Sequence, residues 1–245
     1  MFGGGSITLF HFHGIKVTVD WSWFIVLFLV ILYMTSFFED LLGGGTAPFV
    51  FGVLSAVGFF GSILLHEFGH AVVAMRNGIG ISSIQLWIFG GMARMDREAD
   101  SPGTELKVAL AGPAVTFAIV VGLLVLGTAS VGWTEFREAA LQETRSNASG
   151  LMALIAWLAT INLLVLVFNL LPAYPMDGGR VARALVWWRT GNRNKATRAA
   201  ANLGRFFGYL FIGAGILLAV SGLAFTGIWL ALVGVIINGS AKGAA

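Results

Sequence analysis

The stretch FFGSILLHEFGHAVVAM, residues 59–75, places two histidines and a glutamate inside an apolar segment long enough to span a bilayer. On a helix, His66 and His70 lie four residues apart on one face, so both imidazoles can reach one metal ion. Glu67 lies beside them, where zinc metalloproteases carry their general base. The alternative is a buried polar cluster that fits the pattern by chance. Ionisable groups at membrane depth are costly, which favours a functional role.

Composition indicates an integral membrane protein. Of the 245 residues, 57% are hydrophobic and only 11% are charged, and the mean hydropathy is +0.85, whereas soluble domains carry about 25% charge. This leaves little room for a separate soluble domain, and we expect one transmembrane domain over residues 1–245. Cysteine is absent, which excludes thiolate ligands and a cysteine nucleophile. The net charge of +3 is better explained by loop orientation than by nucleic-acid binding, and no nucleic-acid partner is expected.

Apolar stretches of about 20 residues predict six transmembrane helices. The stretch 203–237 is too long for one span, and Ser221-Gly222 and Thr226-Gly227 offer a break into two glycine-rich passes. Their sparse polar content suggests loose, lipid-facing packing and a substrate gate against the first span. A short helix is predicted between the fourth and fifth spans, at about 179–188. The first four spans are predicted at about 17–38, 48–75, 106–126 and 151–171.

The basic residues predict the orientation. With six spans, both termini and the loops around 76–105 and 173–205 share one side. That side holds all of the 15 basic residues except Arg137 and Arg145. The positive-inside rule therefore places both termini in the cytoplasm, with the protein expected in the cell membrane. The end of the second span at His70 and the segment after the fourth span then approach the same membrane face.

Catalytic zinc needs a third protein ligand. The candidates among the acids are Asp177 and, less plausibly, Asp20. Asp177 lies in NLLPAYPMDGG, residues 169–179, where two prolines and two glycines break the helix; such a break is tolerated where it lines a buried or wet site. The alternative role for Asp177 is to cap the short helix that follows. The remaining histidines, His11 and His13, are expected to be solvated N-terminal residues.

HEFGH on the second span together with NLLPAYPMDGG after the fourth resembles the site-2 protease family of intramembrane zinc metalloproteases. The resemblance implies a compact, all-α membrane protein that cuts transmembrane segments of other membrane proteins. It also implies that the Asn of the second motif helps to polarise the scissile carbonyl, although a helix–helix hydrogen bond would equally suit that residue. The implied site is one zinc ion bound by His66, His70 and Asp177, with Glu67 and Asn169 as catalytic residues.

The family also has a membrane-immersed β-hairpin after the second span. Here residues 85–95, QLWIFGGMARM, place apolar residues on both sides of a Gly-Gly pair, as in a hairpin. Such an edge could hold an unwound substrate by strand addition. The alternative is a plain re-entrant loop.

Two features depart from the family pattern, and one rival function remains. The family often has an Asn in the third span after a Gly-Pro pair, where this chain has Thr116, which weakens a role for an amide there. The extracytoplasmic loops are too short for a PDZ domain. The rival is a membrane metal-binding protein or metal transporter that uses the same ligands without proteolysis. Glu67 discriminates, because transport needs no general base beside the ion.

Overall fold

The computed structural model describes residues 5–12, 14–88, 90–141 and 149–244. Within these residues the chain forms eight helices and four strands. The helices are α1 (Trp21–Leu42), α2 (Ala47–Arg76), α3 (Pro102–Val131), α4 (Trp133–Ala140), α5 (Gly150–Asn169), α6 (Asp177–Thr190), α7 (Arg193–Val220) and α8 (Ala224–Ala244). The strands are β1 (Ile7–Phe12), β2 (Ile15–Val19), β3 (Ile81–Trp87) and β4 (Gly90–Met95).

Six helices in the described part of the chain are long and apolar enough to cross a membrane: α1, α2, α3, α5, α7 and α8. This agrees with the six spans predicted from the sequence. The break between the last two lies at Ser221-Gly222, while Thr226-Gly227 belongs to α8. The short helix expected between the fourth and fifth spans is α6. Helix α4 was not predicted, because it is short and carries charged residues between two spans.

The first span begins later than expected, because residues 17–19 belong to β2 and not to the helix. Asp20 separates the two elements. Its side chain accepts a hydrogen bond of 2.9 Å from the Ser22 amide and so caps α1, while its own amide donates to the Leu86 carbonyl in β3 at 2.8 Å. Only Asp20 interrupts the hydrophobic sequence between Val19 of β2 and Trp21 of α1, and for this reason hydropathy alone merges the two elements.

The predicted hairpin is part of a four-stranded sheet in the order β1-β2-β3-β4. Strands β3 and β4 pair antiparallel with Trp87 opposite Gly90, so the segment is a hairpin and not a plain loop. Strand β2 runs parallel to β3 with Val17 opposite Ile84, and both of these side chains are fully buried. Strands β1 and β2 were not predicted. Strand β4 is one edge of the sheet.

The chain divides into two compact units, and the division passes through α3 and α5. The first unit comprises Met1–Glu98 and Ala114–Leu166. Its core includes Met34 and Phe38 of α1 packed with Ala153 and Leu154 of α5. A second cluster buries Phe136 of α4 against Met152 and neighbouring alanines of α5.

The second unit comprises Ala99–Pro113 and Val167–Ala245. In it, α7 and α8 approach closely at glycines. A Cβ atom on Gly215 would lie 2.6 Å from the Gly227 carbonyl oxygen, and one on Gly234 would lie 2.6 Å from the Gly208 carbonyl oxygen. The loose packing expected for these two spans is therefore wrong for their contact with each other, since glycines let helix backbones approach in a membrane. The gate itself stays a prediction.

Candidate metal centre

Helix α2 holds the HEFGH motif in its second half. The helix starts with Pro48 in its first turn, where a missing amide hydrogen costs nothing, and ends at Arg76, followed by Asn77 as the C-cap. The side chains of His66, Glu67 and His70 are 5%, 8% and 3% exposed. Three ionisable groups are thus gathered, almost without solvent contact, inside a helix of 30 residues.

The two imidazoles approach one another through their Nε2 atoms. His66 Nε2 lies 3.1 Å from His70 Nε2, and the two ring planes are 79° apart. Tetrahedral zinc with ligands at about 2.0–2.1 Å separates two nitrogens by about 3.3 Å. The pair therefore fits a shared zinc ion with little rearrangement.

The other nitrogen of His66 contacts a residue from α3. His66 Nδ1 lies 2.9 Å from the Thr116 hydroxyl oxygen, and Thr116 is only 1% exposed. Sequence reasoning noted Thr116 only as a departure from the family pattern. The signal available was its place three residues after Pro113, but nothing in the sequence showed that it faces His66.

The β-hairpin lies against Glu67. A Cβ atom on Gly91 would lie 2.8 Å from the Glu67 carboxyl carbon and 2.9 Å from its Oε1, so only glycine fits at this point of β4. Strand β4, at the edge of the sheet, therefore contacts Glu67, the predicted general base, directly. The sequence predicts a turn at the Gly-Gly pair, but it does not show that Gly91 also leaves room for the Glu67 side chain.

Asp177 is the first residue of α6. The N-cap position belongs to Met176, so Asp177 is not the capping residue that the sequence left open as an alternative. The following glycines allow a tight approach to the preceding turn, since a Cβ on Gly179 would lie 2.6 Å from the Ala173 carbonyl carbon.

One ligand atom from each of His66, His70 and Asp177 lies within 4.8 Å of the others. Within the described residues, these three side chains form the one group of histidines and acids that could hold a metal ion. Two imidazoles and one carboxylate form a donor set found in catalytic zinc sites, so the residues present fit zinc.

The remaining sequence candidates are not members of this three-residue group. Asn169 is the last residue of α5 and is half-buried. Asp20 caps α1, and hydrogen bonds from the Ser22 side chain and backbone lower the pKa of its carboxyl group, which explains this acid without a metal. His11 is exposed on β1, and His13 lies outside the described residues.

A buried ion pair near the start of α6 was also missed. Arg183 of α6 donates from Nε to Glu105 Oε1 of α3 at 2.6 Å, and a second guanidinium nitrogen contacts the same oxygen. Glu105 is fully buried. Burial raises the pKa of the nearby Tyr174 phenol, which is also influenced by the charges of Arg183 and Glu105. The pair joins the helix that carries Asp177 to α3.

Residues 54–212 match the model of peptidase family M50. The chain belongs to this family. Two provisionally named zinc metalloproteases are similar to this M50 chain. They are sll0528 of Synechocystis sp., 37% identical over 95% of the chain, and Rip3 of Mycobacterium tuberculosis, 35% identical over 97% of it. The chain spans 58% of the length of each of these relatives.

A solved structure is also similar to this M50 chain. It is the site-2 protease from Methanocaldococcus jannaschii, at 29% identity and a TM-score of 0.60, and the match covers 98% of this chain and 95% of that one. The resemblance to site-2 proteases and the predicted fold class, an all-α membrane protein with a β-hairpin after the second span, are thereby confirmed.

Proposed function

We propose that the chain is an intramembrane zinc metalloprotease, an endopeptidase that cuts within or next to the transmembrane segments of membrane-protein substrates. The observation that carries the proposal is the pair of buried Nε2 atoms, 3.1 Å apart, next to Glu67 on a helix long enough to cross the bilayer. Regulated intramembrane proteolysis is the process in which such an activity would act. The family and the names of its relatives support this reaction class.

His66, His70 and Asp177 would bind one zinc ion, with an open position for water and substrate. When bound, zinc polarises the scissile carbonyl and lowers the pKa of water toward about 7. The spacing of the two histidines and the grouping of the three donors support this assignment. Asp177 adds a negative charge that a divalent cation offsets, which favours the ion over an empty buried site.

Glu67 would act as general base and then as general acid. Its carboxylate accepts the proton of the attacking water and later delivers it to the leaving amine. Burial beneath Gly91 limits its rotamers and so holds the carboxylate next to the imidazoles. Asn169 would donate a hydrogen bond from its amide to the oxygen of the scissile carbonyl as negative charge develops there.

Strand β4 would present the substrate. A transmembrane helix hides its carbonyls in its own hydrogen bonds, so the segment to be cut must first unwind. As the last strand of the sheet, β4 would offer backbone partners to such an extended segment. Because the same strand contacts Glu67 through Gly91, a substrate strand added there would run close to the base.

We place the protein in the cell membrane with both termini in the cytoplasm, following the distribution of basic residues. Residues 1–245 would act as one proteolytic domain, with the lipid bilayer and a transmembrane protein substrate as its partners. The alternative function is a membrane metal-binding protein or transporter without proteolytic activity.

A cleavage and zinc-binding experiment distinguishes a general base, which Glu67 is proposed to be, from a zinc ligand. We expect Glu67→Gln to retain one zinc per chain while cleavage of a transmembrane substrate in detergent falls by at least about 10²-fold. Glu135→Gln, an exposed acid on α4, is the matched control and should cleave normally. A chelator should abolish wild-type cleavage, and added zinc should restore it.

Loss of zinc from Glu67→Gln would make Glu67 a ligand and overturn the assigned roles. Wild-type protein that binds zinc but cuts no transmembrane substrate would instead favour the metal-binding alternative.

A further inference from the structure

We infer that Thr116 is a positioning residue for the metal centre: its hydroxyl accepts the Nδ1–H of His66 and thereby fixes this imidazole in the tautomer that binds zinc through Nε2. The inference rests on the proposed zinc site and adds a residue to it. It gives a role to the position where this chain differs from the family pattern noted in its sequence.

The contact joins His66 of α2 to Thr116 of α3, two residues that lie 50 positions apart in the sequence. The Thr116 hydroxyl oxygen lies 2.9 Å from His66 Nδ1, within the range of a good hydrogen bond, and both side chains are buried. A neutral imidazole carries one N–H. When that hydrogen is on Nδ1 and is donated to a hydroxyl oxygen, Nε2 is left with its lone pair.

Nε2 is the nitrogen that the site needs. It lies 3.1 Å from His70 Nε2, on the side of the ring away from Thr116. A hydroxyl that accepts from Nδ1 therefore sets both the tautomer and the rotation of the ring about its bond to the chain. Partners of this kind raise ligand basicity, and their loss costs about 10–100-fold in metal affinity.

Threonine suits this task because of its stiffness and its burial. On a helix the threonine side chain is limited to two main χ1 rotamers, so its hydroxyl has few alternative positions. At 1% exposure, water has little access to replace the hydroxyl if it is removed. Valine has nearly the same shape as threonine without the hydroxyl, so a change to valine isolates the hydrogen bond from the packing.

The experiment measures metal binding and not only activity. Purified full-length wild type, Thr116→Val, Thr116→Ala and Thr116→Ser are compared for zinc affinity by competition with a chelator of known affinity, and for the visible spectrum of the Co²⁺-substituted protein. Thr128→Val is the matched control on α3, because the Thr128 hydroxyl donates to the Leu124 carbonyl in its own helix at 2.7 Å.

We expect zinc affinity to fall about 10–100-fold in Thr116→Val and Thr116→Ala, with an altered Co²⁺ spectrum. Thr116→Ser should restore both readouts toward wild type, and Thr128→Val should leave both unchanged. Wild-type zinc affinity and a wild-type Co²⁺ spectrum in a folded Thr116→Val or Thr116→Ala would overturn the inference alone. A wild-type protein that binds no zinc would overturn the proposed function as well, so the two failures are distinguishable.

Discussion

The side chain of Glu67 on α2 lies against Gly91, which is 24 positions further along the chain in strand β4. Gly91 leaves room for the carboxylate only because it has no side chain. The neighbouring His66 is held on its far side by Thr116. At the scale of single residues, the surroundings of His66 and Glu67 on α2 therefore include small groups from β4 and α3.

The Gly91 contact yields a prediction about catalysis. Gly91→Ala would push the Glu67 carboxylate from its position, and misplacement by about 1 Å can cost about 10²-fold in rate. We expect cleavage to fall by about that factor while zinc content stays at the wild-type level. Gly61→Ala, on the same helix as Glu67, is the control, because a Cβ there meets no other atom within 4 Å. Full activity in Gly91→Ala would show that the hairpin does not constrain the base.

The sequence alone predicts that His66, Glu67 and His70 lie together, but it does not show the contacts that Thr116 and Gly91 make with them. His66, Glu67 and His70 could be identified because helical periodicity alone puts them on adjacent positions of one helix. The roles of Thr116 and Gly91 depend on where α3 and β4 pass α2, which is a matter of tertiary packing. Their local sequences signalled only a helix position and a turn.

The pairing of α7 with α8 is a feature at the scale of elements, and it predicts where bulk is tolerated. Gly215→Val should lower stability by about 1–3 kcal/mol, because its side chain would collide with the backbone of α8. Gly213 lies two residues away on the same helix, and a Cβ atom there would meet nothing within 4 Å. We therefore expect Gly213→Val to leave the stability nearly unchanged. Unfolding midpoints in detergent test the difference. Equal midpoints for the two variants would argue against the close helix pair.

The ion pair between α3 and α6 carries a second prediction at this scale. Removing one partner of a buried pair costs about 3–5 kcal/mol, whereas replacing both by apolar residues is often neutral. We expect Glu105→Leu to lower the unfolding midpoint strongly and the double variant Glu105→Leu/Arg183→Met to recover most of the loss. A single variant as stable as wild type would show that the pair contributes nothing to fixing α6.

Element boundaries show what hydropathy can and cannot determine. The spans were found because about 20 apolar residues have few alternatives to a transmembrane helix. The start of α1 is predicted too early, since the valines of β2 come shortly before the apolar residues of α1 and only the capping acid Asp20 marks the change. Strand β1 pairs with β2 over Ile7–Phe12, a segment that without its partner reads as an ordinary N-terminal arm.

At the scale of the whole molecule, the absence of cysteine makes the orientation directly measurable. Single cysteines replace Glu135 on α4 and Lys242 near the end of α8, both exposed. In intact cells, a membrane-impermeant maleimide should label Glu135→Cys, because the positive-inside rule puts α4 outside. Lys242→Cys should react only after the cells are permeabilised. The reverse pattern would invert the proposed orientation.

The parallel pairing of β2 with β3 has a consequence for how the chain is inserted into the membrane during synthesis. Strand β2 directly precedes α1 and β3 follows α2, yet residues from Lys16↔Ser83 to Val19↔Leu86 are partners in one sheet. Two strands can hydrogen-bond only if they lie on the same side of the bilayer, so β2 and β3 can pair only when α1 and α2 have both crossed it. Before α2 has crossed, the chain that follows α1 lies on the opposite side of the bilayer from β2, so the sheet can form only after the second crossing.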